Sequence, residues 1–279
     1  MIGVFDSGFG GLTILKSIRE RLPEYDYLYL GDNARTPYGT RSFEVVYQYT
    51  LECVRYLFSR GCHLIILACN TASAKALRNI QQNDLPHLYP DRRVLGIIRP
   101  TVEAIEHYTT TRHIGLLATP GTVNSMSYPI EISKHCQDIT LTQQACPMWV
   151  PLVENNEHHN AGANYFVEQY INQLLSTDPL IDTILLACTH YPLLAGKINE
   201  AINEYMSKHS ITDHNINLLS QGSIVAASLE DYLRRHPEIE RYCEKNGVVE
   251  FLTTESAERF SESAAIFMGE QIEAQHVEL

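Results

Sequence analysis

Short apolar runs alternate with segments of helical periodicity along most of the chain. Runs in which nearly every residue is apolar predict buried strands at 2–6, 27–31, 63–68, 94–98, 113–118 and 183–187. Apolar residues spaced three to four apart predict helices, of which the clearest are 43–60, 192–206, 222–235 and 255–269. Strands that are apolar on both faces are typical of parallel sheets with helices on either side. The pattern therefore predicts the α/β fold class.

Two of the predicted helices have a well-defined apolar face. In 43–60 this face contains Val45, Val46, Tyr49, Cys53, Tyr56 and Leu57. In 192–206 it contains Leu194, Ile198, Ala201, Ile202 and Tyr205. A helix that covers a sheet buries one such stripe and exposes the opposite one. We therefore expect both helices to lie against a parallel sheet.

Two segments of the chain are repeated at a nearly constant displacement. HLIILACNT (63–71) resembles DTILLACTH (182–190), and IGVFDSG (2–8) resembles IGLLATPG (114–121). The second pair is displaced by 112 residues (2 to 114), and the cysteines of the first pair by 119 (69 to 188). These displacements are far longer than the ~20–50 residues of a solenoid repeat. We therefore expect two related halves.

The two halves predict two pseudo-symmetric lobes with mainly parallel sheets flanked by helices. The first lobe is expected to comprise 1–97 and 211–279, and the second 98–210. Both cysteine motifs follow predicted strands, and open α/β sheets bind their ligands at the carboxyl ends of their strands. The active site is therefore expected in the cleft between the lobes.

Composition restricts the partners of the protein. The 279 residues are 44% hydrophobic and carry a formal net charge of −12, which opposes binding to the phosphates of nucleic acids. No apolar run reaches the ~18 residues of a membrane span, and the N-terminus lacks the pattern of a signal peptide. We expect a cytoplasmic protein without nucleic-acid or membrane partners.

The repeated context selects two of the seven cysteines. The full set lacks paired C-x-x-C spacing, which favours reduced thiols over a disulfide framework or a zinc site. A lone cysteine at a strand end is usually structural. Cys69 and Cys188 are each followed by hydroxyl or amide residues and a predicted helix, whose positive end can favour a thiolate. Both are candidate reactive thiols, whereas a structural or incidental role is expected for Cys53, Cys62, Cys136, Cys146 and Cys243.

The two halves differ in chemistry at Asp6 and His190. Asp6 could cap the helix that follows it, but its counterpart in the second half is Ala118, although a cap required by the fold would be expected in both halves. His190 occupies the position of Thr71 and lies two residues from Cys188, as an acid or base partner of the thiol would. Both are candidate functional residues.

The loops do not indicate a cofactor or a metal. In DSGFGGL (6–12) the third glycine of a dinucleotide motif is replaced by Thr13, and no P-loop GK[ST] occurs. The segment 154–162 contains His158 and His159 but no third ligand at metal spacing, and no lysine context marks a pyridoxal phosphate site. The loop GDNARTPYGTR (31–41) follows a strand, and we expect its backbone amides near the same site.

Five motifs occur in an order that resembles the cofactor-independent aspartate/glutamate racemase superfamily, and the glutamate racemases within it: DSGFGGL, GDNARTPYG, ACNTASA, PLVE and ACTHYPLL. The resemblance covers nearly the whole chain. It implies that Cys69 and Cys188 form the catalytic pair, assisted by Asp6, Glu154 and His190. It also implies a substrate pocket lined by Asp6, Ser7, Tyr38, Gly39, Asn70, Thr71, Thr119, Thr122, Thr189 and His190.

The sequence departs from the pattern of that family in three places. Ala187 stands where glycine commonly precedes the second cysteine, and Arg99 stands where an acidic residue is frequent. SQG (220–222) replaces a more usual acidic turn. None of the three supplies an atom to the expected catalytic pair.

The resemblance implies interconversion of L- and D-glutamate without a cofactor, D-glutamate supply for peptidoglycan, and a homodimer. Racemisation needs a base and an acid on opposite faces of the α-carbon, and two thiols from two lobes meet that need. An ordinary thiol pKa of about 8.5 permits both thiol and thiolate near neutral pH. The resemblance assigns Cys69 to the D-enantiomer and Cys188 to the L-enantiomer.

Three alternatives remain open from the sequence. An aspartate racemase would share the two-cysteine plan, but such enzymes typically have an acidic residue after CT, where this chain has His190. A cysteine hydrolase using Cys188 and His190 would leave Cys69 without a role. A non-enzymatic amino-acid-binding protein could use the two cysteines as a reversible thiol switch.

Overall fold

The computed structural model describes residues 1–211 and 215–279 and contains two parallel sheets. Its strands are β1 Ile2–Asp6, β2 Tyr27–Gly31, β3 Leu64–Leu67, β4 Arg93–Gly96, β5 His113–Ala118, β6 Thr140–Ala145, β7 Thr183–Ala187, β8 Asn217–Leu219, β9 Val249–Thr253 and β10 Ala274–His276. The six-stranded sheet has the order β10-β9-β2-β1-β3-β4, and the four-stranded sheet has the order β6-β5-β7-β8. Neighbouring strands pair in parallel throughout, as the apolar runs predict.

Helices connect and cover the strands. The α-helices are α1 Leu12–Arg21, α2 Phe43–Ser59, α3 Asn70–Lys75, α4 Leu77–Asn79, α5 Leu85–Leu88, α6 Ile98–Ile105, α7 Pro120–Asn124, α8 Ser127–His135, α9 Trp149–Glu154, α10 Ala161–Thr177, α11 Ala195–Lys208, α12 Gly222–Arg235, α13 Pro237–Glu240 and α14 Ala257–Met268. Short 3-10 turns cover Asn33–Arg35, Glu106–Tyr108 and Tyr191–Leu194, and a π-helical turn covers Ile80–Asp84.

Both faces of the central strand β1 are buried. Val4 packs in the same apolar cluster as Leu15 of α1, whereas its neighbour Phe5 packs in the cluster that contains Val54 of α2. Successive side chains of a strand point to opposite faces, so helices cover the sheet on each side. This arrangement confirms the predicted α/β fold class.

The structure supports the internal duplication strand by strand. Four strands of the first sheet, β2-β1-β3-β4, correspond in order to β6-β5-β7-β8 of the second. Gly3 of β1 pairs with Ile65 of β3, and Gly115 of β5 pairs with Ile184 of β7. These pairs are related by the same displacements as the sequence repeats. Cys69 and Cys188 therefore follow equivalent strands at equivalent ends of the two sheets.

The six predicted strands are all present, but the prediction of 94–98 is wrong at its end. Strand β4 ends at Gly96, and Ile98 begins α6. The pattern also missed β6, β8, β9 and β10. Three of these strands lie at sheet edges, where β6 is half-buried and β10 is largely exposed, so their sequences lack a continuous apolar run.

The helix predictions differ in how well they place the buried face. All five residues predicted for 192–206 are buried, in α11 or the 3-10 turn before it. Helix α2 buries Val46, Cys53 and Leu57 as predicted, but Val45, Tyr49 and Tyr56 are only half-buried. The buried stripe is turned toward Thr50, Val54 and Phe58, which are buried instead.

The chain leaves the first sheet after β4 and returns to it through α12 and β9. The predicted lobe boundaries, 1–97 with 211–279 and 98–210, stay a prediction. Strand β8 belongs to the second sheet, although its residues fall in the range predicted for the first lobe. The predicted boundary at 211 adjoins 212–214, which lie outside the described residues. Across the residues that are described, no helix is both long and apolar enough to span a bilayer.

Candidate active site

The carboxyl ends of β1 and β3 face those of β5 and β7, and the two predicted thiols lie at this meeting point. Cys69 and Cys188 are each 6% exposed. The charge of Cys188 contributes to the raised pKa of Cys69, so each sulfur lies within electrostatic reach of the other. All seven cysteines of the chain are free thiols. The structure therefore brings the predicted pair together in one buried site.

Cys69 is held at the start of α3. Its Sγ accepts a hydrogen bond from the backbone N–H of Ala72 at 3.4 Å and lies 3.5 Å from Ser7 Oγ. Burial, followed by the negative charge of Asp6, raises the pKa of the Cys69 thiol to about 12. Cys69 is therefore a thiol at neutral pH, ready to donate a proton.

Cys188 has a different partner. Its Sγ lies 3.8 Å from Nδ1 of His190, and Nε2 of the same ring makes a short contact with the Glu154 carboxylate. Burial disfavours the charged imidazole, but the Glu154 carboxylate and the Cys188 hydrogen bond outweigh it and raise the pKa of His190 well above its ordinary value. The raised pKa favours the charged imidazolium, whose Nδ1–H faces the sulfur.

Asp6 links the two halves of the site. It is fully buried at the end of β1, where one carboxylate oxygen accepts from the Gly8 backbone N–H at 2.9 Å. The other accepts from the Thr189 hydroxyl at 3.4 Å, across the cleft between the sheets. Burial raises the pKa of Asp6 above its ordinary value, although the His190 cation and the backbone N–H groups oppose this. Asp6 is therefore an acid with a raised pKa that also accepts a hydrogen bond across the cleft.

The glycine loop after β1 is shaped by close approach to this site. A Cβ added at Gly8 would lie 2.6 Å from the Glu154 carboxylate. At Gly10 it would lie 2.3 Å from Thr189 Oγ1 and 2.5 Å from His190 Nδ1. Glycine is therefore needed at both positions, because the loop packs closely against Glu154, Thr189 and His190. This explains a loop that the nucleotide motifs do not match.

Gly10→Ala should lower the catalytic rate of the protein by about 100-fold or more. The methyl group of the alanine would displace His190 and Thr189 from their positions beside Cys188. The matched control is Gly196→Ala in α11, where an added Cβ meets no atom within 4 Å. That control should keep full turnover and gain slight helix stability. Steady-state turnover of both purified variants checks this, and equal activity would show that Gly10 does not hold the site.

Three threonine hydroxyls form a cluster between the sheets. Thr71 Oγ1, from α3, lies 3.0 Å from Thr119 Oγ1 and 3.5 Å from Thr122 Oγ1. Thr119 also accepts from the backbone N–H of Thr122 at 3.2 Å, which caps α7. All three side chains are buried. The cluster offers several hydroxyl donors to a bound anion beside the thiols.

Tyr38 and Gly39 contribute to the site in different ways. The Tyr38 ring is buried in the first-sheet core, and its hydroxyl donates to Asp32 rather than facing the thiols. Gly39 instead packs against Thr119, where an added Cβ would lie 2.8 Å from the threonine Cβ. Its carbonyl accepts from the Gly121 N–H at 2.7 Å. The backbone of this loop therefore contacts the hydroxyl cluster. The side chain of Tyr38 points away from it, so Tyr38 can contribute to the site only through its backbone.

The structure contains a buried hydrogen-bond network at Asn70 that the sequence does not predict. The side chain of Asn70, one of the predicted pocket residues, bonds to Gln221 and Tyr128. Gln221 belongs to the SQG turn, which the sequence marks only as a departure from a family pattern. Tyr128 lies in α8 and carries no motif. No periodicity or spacing connects these residues, so the sequence held no usable signal for the network.

The remaining candidates do not form a metal centre. Among residues 1–211 and 215–279, no group of three His, Cys, Asp or Glu side chains is placed to hold a metal ion. His158 and His159 lie together with ring centroids 3.9 Å apart, but without a further ligand.

The raised pKa of Cys69 predicts the pH dependence of its reactivity. Below a pKa of about 12 the thiolate fraction rises about tenfold per pH unit, so iodoacetamide labelling should accelerate steadily from about pH 7 to 10. Asp6→Asn should label faster at each pH, because the Asp6 charge helps to raise the pKa. Mass spectrometry of the Cys69 peptide in a Cys188→Ser background checks both. A plateau near pH 8 would contradict the raised pKa.

Comparison with known proteins places this site in a family. Residues 4–213 match the model of the Asp/Glu/Hydantoin racemase family. The chain is 37% identical over 282 residues to the glutamate racemase of Roseobacter denitrificans, covering 98% of each protein.

Solved structures agree with this match. A glutamate racemase isoform from Bacillus anthracis superimposes with a TM-score of 0.86 at 32% identity, covering 100% of this chain and 97% of that one. The glutamate racemase of Francisella tularensis in complex with D-glutamate gives 0.83 at 27% identity, covering 99% and 97%. The aspartate racemase of Picrophilus torridus shares the fold at a TM-score of 0.53 and 19% identity, covering 83% and 93%. Two equivalent thiols in a duplicated α/β fold, together with a full-length relative and a matching family model, show that the chain belongs to the Asp/Glu/hydantoin racemase family.

Proposed function

We propose that this protein interconverts L- and D-glutamate by moving the α-proton between two cysteine thiols. The observation that carries the proposal is the pair of buried sulfurs, Cys69 and Cys188, at equivalent ends of two duplicated sheets. Pseudo-symmetric lobes present equivalent groups from opposite sides of a shared cleft. The similarity to glutamate racemases over nearly the whole chain supports glutamate as the substrate.

The chemistry requires one base and one acid in each direction. A thiolate on one side removes the α-proton and becomes a thiol, while the thiol on the other side donates its proton to the opposite face and becomes a thiolate. The two sulfurs thus exchange roles with each turnover, and no redox partner is needed. Proton transfer by positioned groups of this kind typically contributes ~10²–10⁴-fold to the rate.

The two thiols have different assistants, in keeping with two different substrate faces. On the Cys188 side, the His190 imidazolium is held by Glu154 and stabilises developing charge next to the sulfur. On the Cys69 side, Asp6 and Ser7 lie beside the thiol. We assign Cys69 to the D-enantiomer and Cys188 to the L-enantiomer.

The substrate carboxylates are bound by hydroxyl and amide donors around the thiols. Thr71, Thr119 and Thr122 supply one group of hydroxyls, and the backbone at Tyr38 and Gly39 lies against it. Ser7 and Asn70 supply further side chains next to Cys69, and Thr189 supplies one next to Cys188. Donors fixed before the reaction stabilise the negative charge that develops as the α-proton leaves. Closure of the lobes over the amino acid excludes water from the reacting atoms.

The cellular role follows from the product. D-glutamate supplies peptidoglycan synthesis, which is the role that the family resemblance implies. We infer a cytoplasmic homodimer that needs no cofactor or metal for its reaction and binds neither nucleic acid nor a membrane. Gel filtration with light scattering tests the dimer, and a monomer at assay concentration would contradict it.

Turnover on two amino acids tests the proposed substrate. Purified protein, without added pyridoxal phosphate or metal, should racemise L- and D-glutamate, followed by the change in circular dichroism. Aspartate at the same concentration should react at least about 100-fold more slowly. This is expected when the hydrogen-bond donors that bind the side-chain carboxylate are placed for a longer side chain. Faster turnover of aspartate would replace the proposal with an aspartate racemase. Binding of glutamate without exchange of its α-proton would point to the thiol-switch alternative.

A further inference from the structure

A closed ring of hydrogen bonds begins at the residue that follows Cys69. Asn70, the residue after this cysteine, donates from Nδ2 to Gln221 Oε1 at 2.6 Å. The Tyr128 hydroxyl donates to Asn70 Oδ1 at 2.8 Å, and Gln221 Nε2 donates to the same hydroxyl at 2.9 Å. The second Nε2 hydrogen of Gln221 goes to Thr101 Oγ1 at 2.9 Å. Three side chains thus bond to one another, and a fourth anchors them.

The direction of every bond in this ring is fixed. The Thr101 hydroxyl donates to the carbonyl of Ile97 at 2.7 Å, so it can only accept from Gln221. Burial raises the pKa of Tyr128 well above its ordinary value, so the hydroxyl keeps the proton that it donates to Asn70. The Gln221 amide can therefore face only one way, with its oxygen toward Asn70. All four side chains are at most 3% exposed, where each bond is strong and each loss is costly.

The ring connects the helix that carries Cys69 with the second half of the molecule. Asn70 is the first residue of α3, whose N-terminus also donates to the Cys69 sulfur through Ala72. Tyr128 lies in α8 and Thr101 in α6, both of which pack on the second sheet. Gln221 precedes α12, which packs against α1 of the first half and against α6. A shift of α3 relative to the second sheet would therefore break bonds in the ring.

We propose that Gln221 is a positioning residue, which holds Asn70 and with it the start of α3 so that the Cys69 sulfur stays at a fixed place opposite Cys188. The proposal rests on the proposed function, because only a two-thiol reaction requires this separation to be fixed. Gln221 makes three bonds with one amide, and a leucine, methionine or carboxylate at this position cannot supply the same two donors and one acceptor. Its role is to act through Asn70 on Cys69.

Labelling of the two thiols separates positioning from general stability. In Gln221→Met and in Tyr128→Phe, the N-terminus of α3 should loosen and expose the Cys69 sulfur to water. Cys69 should then react about tenfold faster with iodoacetamide at pH 8, since less burial lowers its pKa. Cys188, read from its own peptide in the same sample, should change less than twofold. Turnover should fall about tenfold or more, because the two sulfurs are no longer held in register.

Thr101→Val is the matched control. It removes the bond between Gln221 and Thr101 but leaves both bonds to Asn70 in place. It should lower the melting temperature, as the loss of a buried hydrogen bond does, while its effects on Cys69 labelling and on turnover should be clearly smaller than those of Gln221→Met, because both bonds to Asn70 remain. If Gln221→Met does not fold, Tyr128→Phe carries the same comparison, because the tyrosine ring remains to fill its site.

The outcomes decide between positioning and simple packing. A change confined to Cys69 in the Gln221 or Tyr128 variant supports the proposal. Equal changes at both cysteines, no change at either, or the same change in Thr101→Val would overturn it. Wild-type protein that does not racemise glutamate would instead refute the proposed function, while the Cys69 labelling would still report whether Gln221 positions that thiol.

Discussion

Cys69→Ser and Cys188→Ser should each lower racemisation of glutamate by about 1,000-fold or more. Each variant lacks one of the two groups that must exchange a proton with the α-carbon, and a serine hydroxyl is a far weaker acid than a thiol. The change in circular dichroism of either enantiomer measures this loss. Cys136→Ser is the control, because its sulfur is also buried but donates only to the Val102 carbonyl, which a hydroxyl can do equally well.

The single variants should also differ in hydrogen exchange. In D₂O, Cys188→Ser retains the base for the D-enantiomer and should incorporate deuterium into D-glutamate without inverting it. Cys69→Ser should do the same with L-glutamate only. Loss of the α-proton signal in NMR spectra measures both exchange reactions. A single variant that keeps full turnover in both directions would remove its thiol from the mechanism, and exchange with the opposite enantiomer would reverse the assignment of the two faces.

His190→Asn should lower kcat/KM by about 100-fold in both directions. The substitution removes the cation that lies 3.8 Å from the Cys188 sulfur and leaves the half-buried Glu154 carboxylate without its partner. The losses must be equal, because the two enantiomers have equal free energy and every catalyst leaves that balance unchanged. Initial rates from L- and D-glutamate provide the measurement.

The chain offers a matched control for this histidine. His113 also contacts a carboxylate, with Nδ1 2.8 Å from Asp178, but it begins β5, at the end of the sheet opposite the thiols. His113→Asn should therefore keep its turnover within about twofold even if its stability falls. Equal losses in the two variants would mean that His190 acts by stabilising the fold. Glu154→Gln adds a second check, because without the carboxylate the pKa of His190 should fall and the alkaline limit of activity should move to lower pH.

The central strands could be predicted from sequence because burial on both faces leaves a continuous apolar run. The repeated motifs also predicted two related halves, and the observed pairings of β1 with β3 and of β5 with β7 are related by the same two displacements. Edge strands could not be predicted in this way. Strand β6 has the sequence TLTQQA and is half-buried, so it shows neither an apolar run nor a clear alternation of apolar and polar residues.

The site could be predicted in part for the same reason. Cys69 and Cys188 were recognisable because a duplication places them at equivalent strand ends, and the difference between Asp6 and Ala118 marked a group not needed by the fold. Contacts between distant segments carried no such signal. The bond between Asn70 and Gln221 joins residues 151 positions apart, and the Tyr38 hydroxyl turns away from the site toward Asp32. Only the packed structure shows these pairings.

The most direct test of the account is a crystal structure of the protein with bound glutamate. The Cys69 and Cys188 sulfurs should lie on opposite faces of the α-carbon, each within about 4 Å of it, as proton transfer requires. Both sulfurs on one face, or either one beyond reach of the α-carbon, would contradict a reaction in which two thiols exchange its proton.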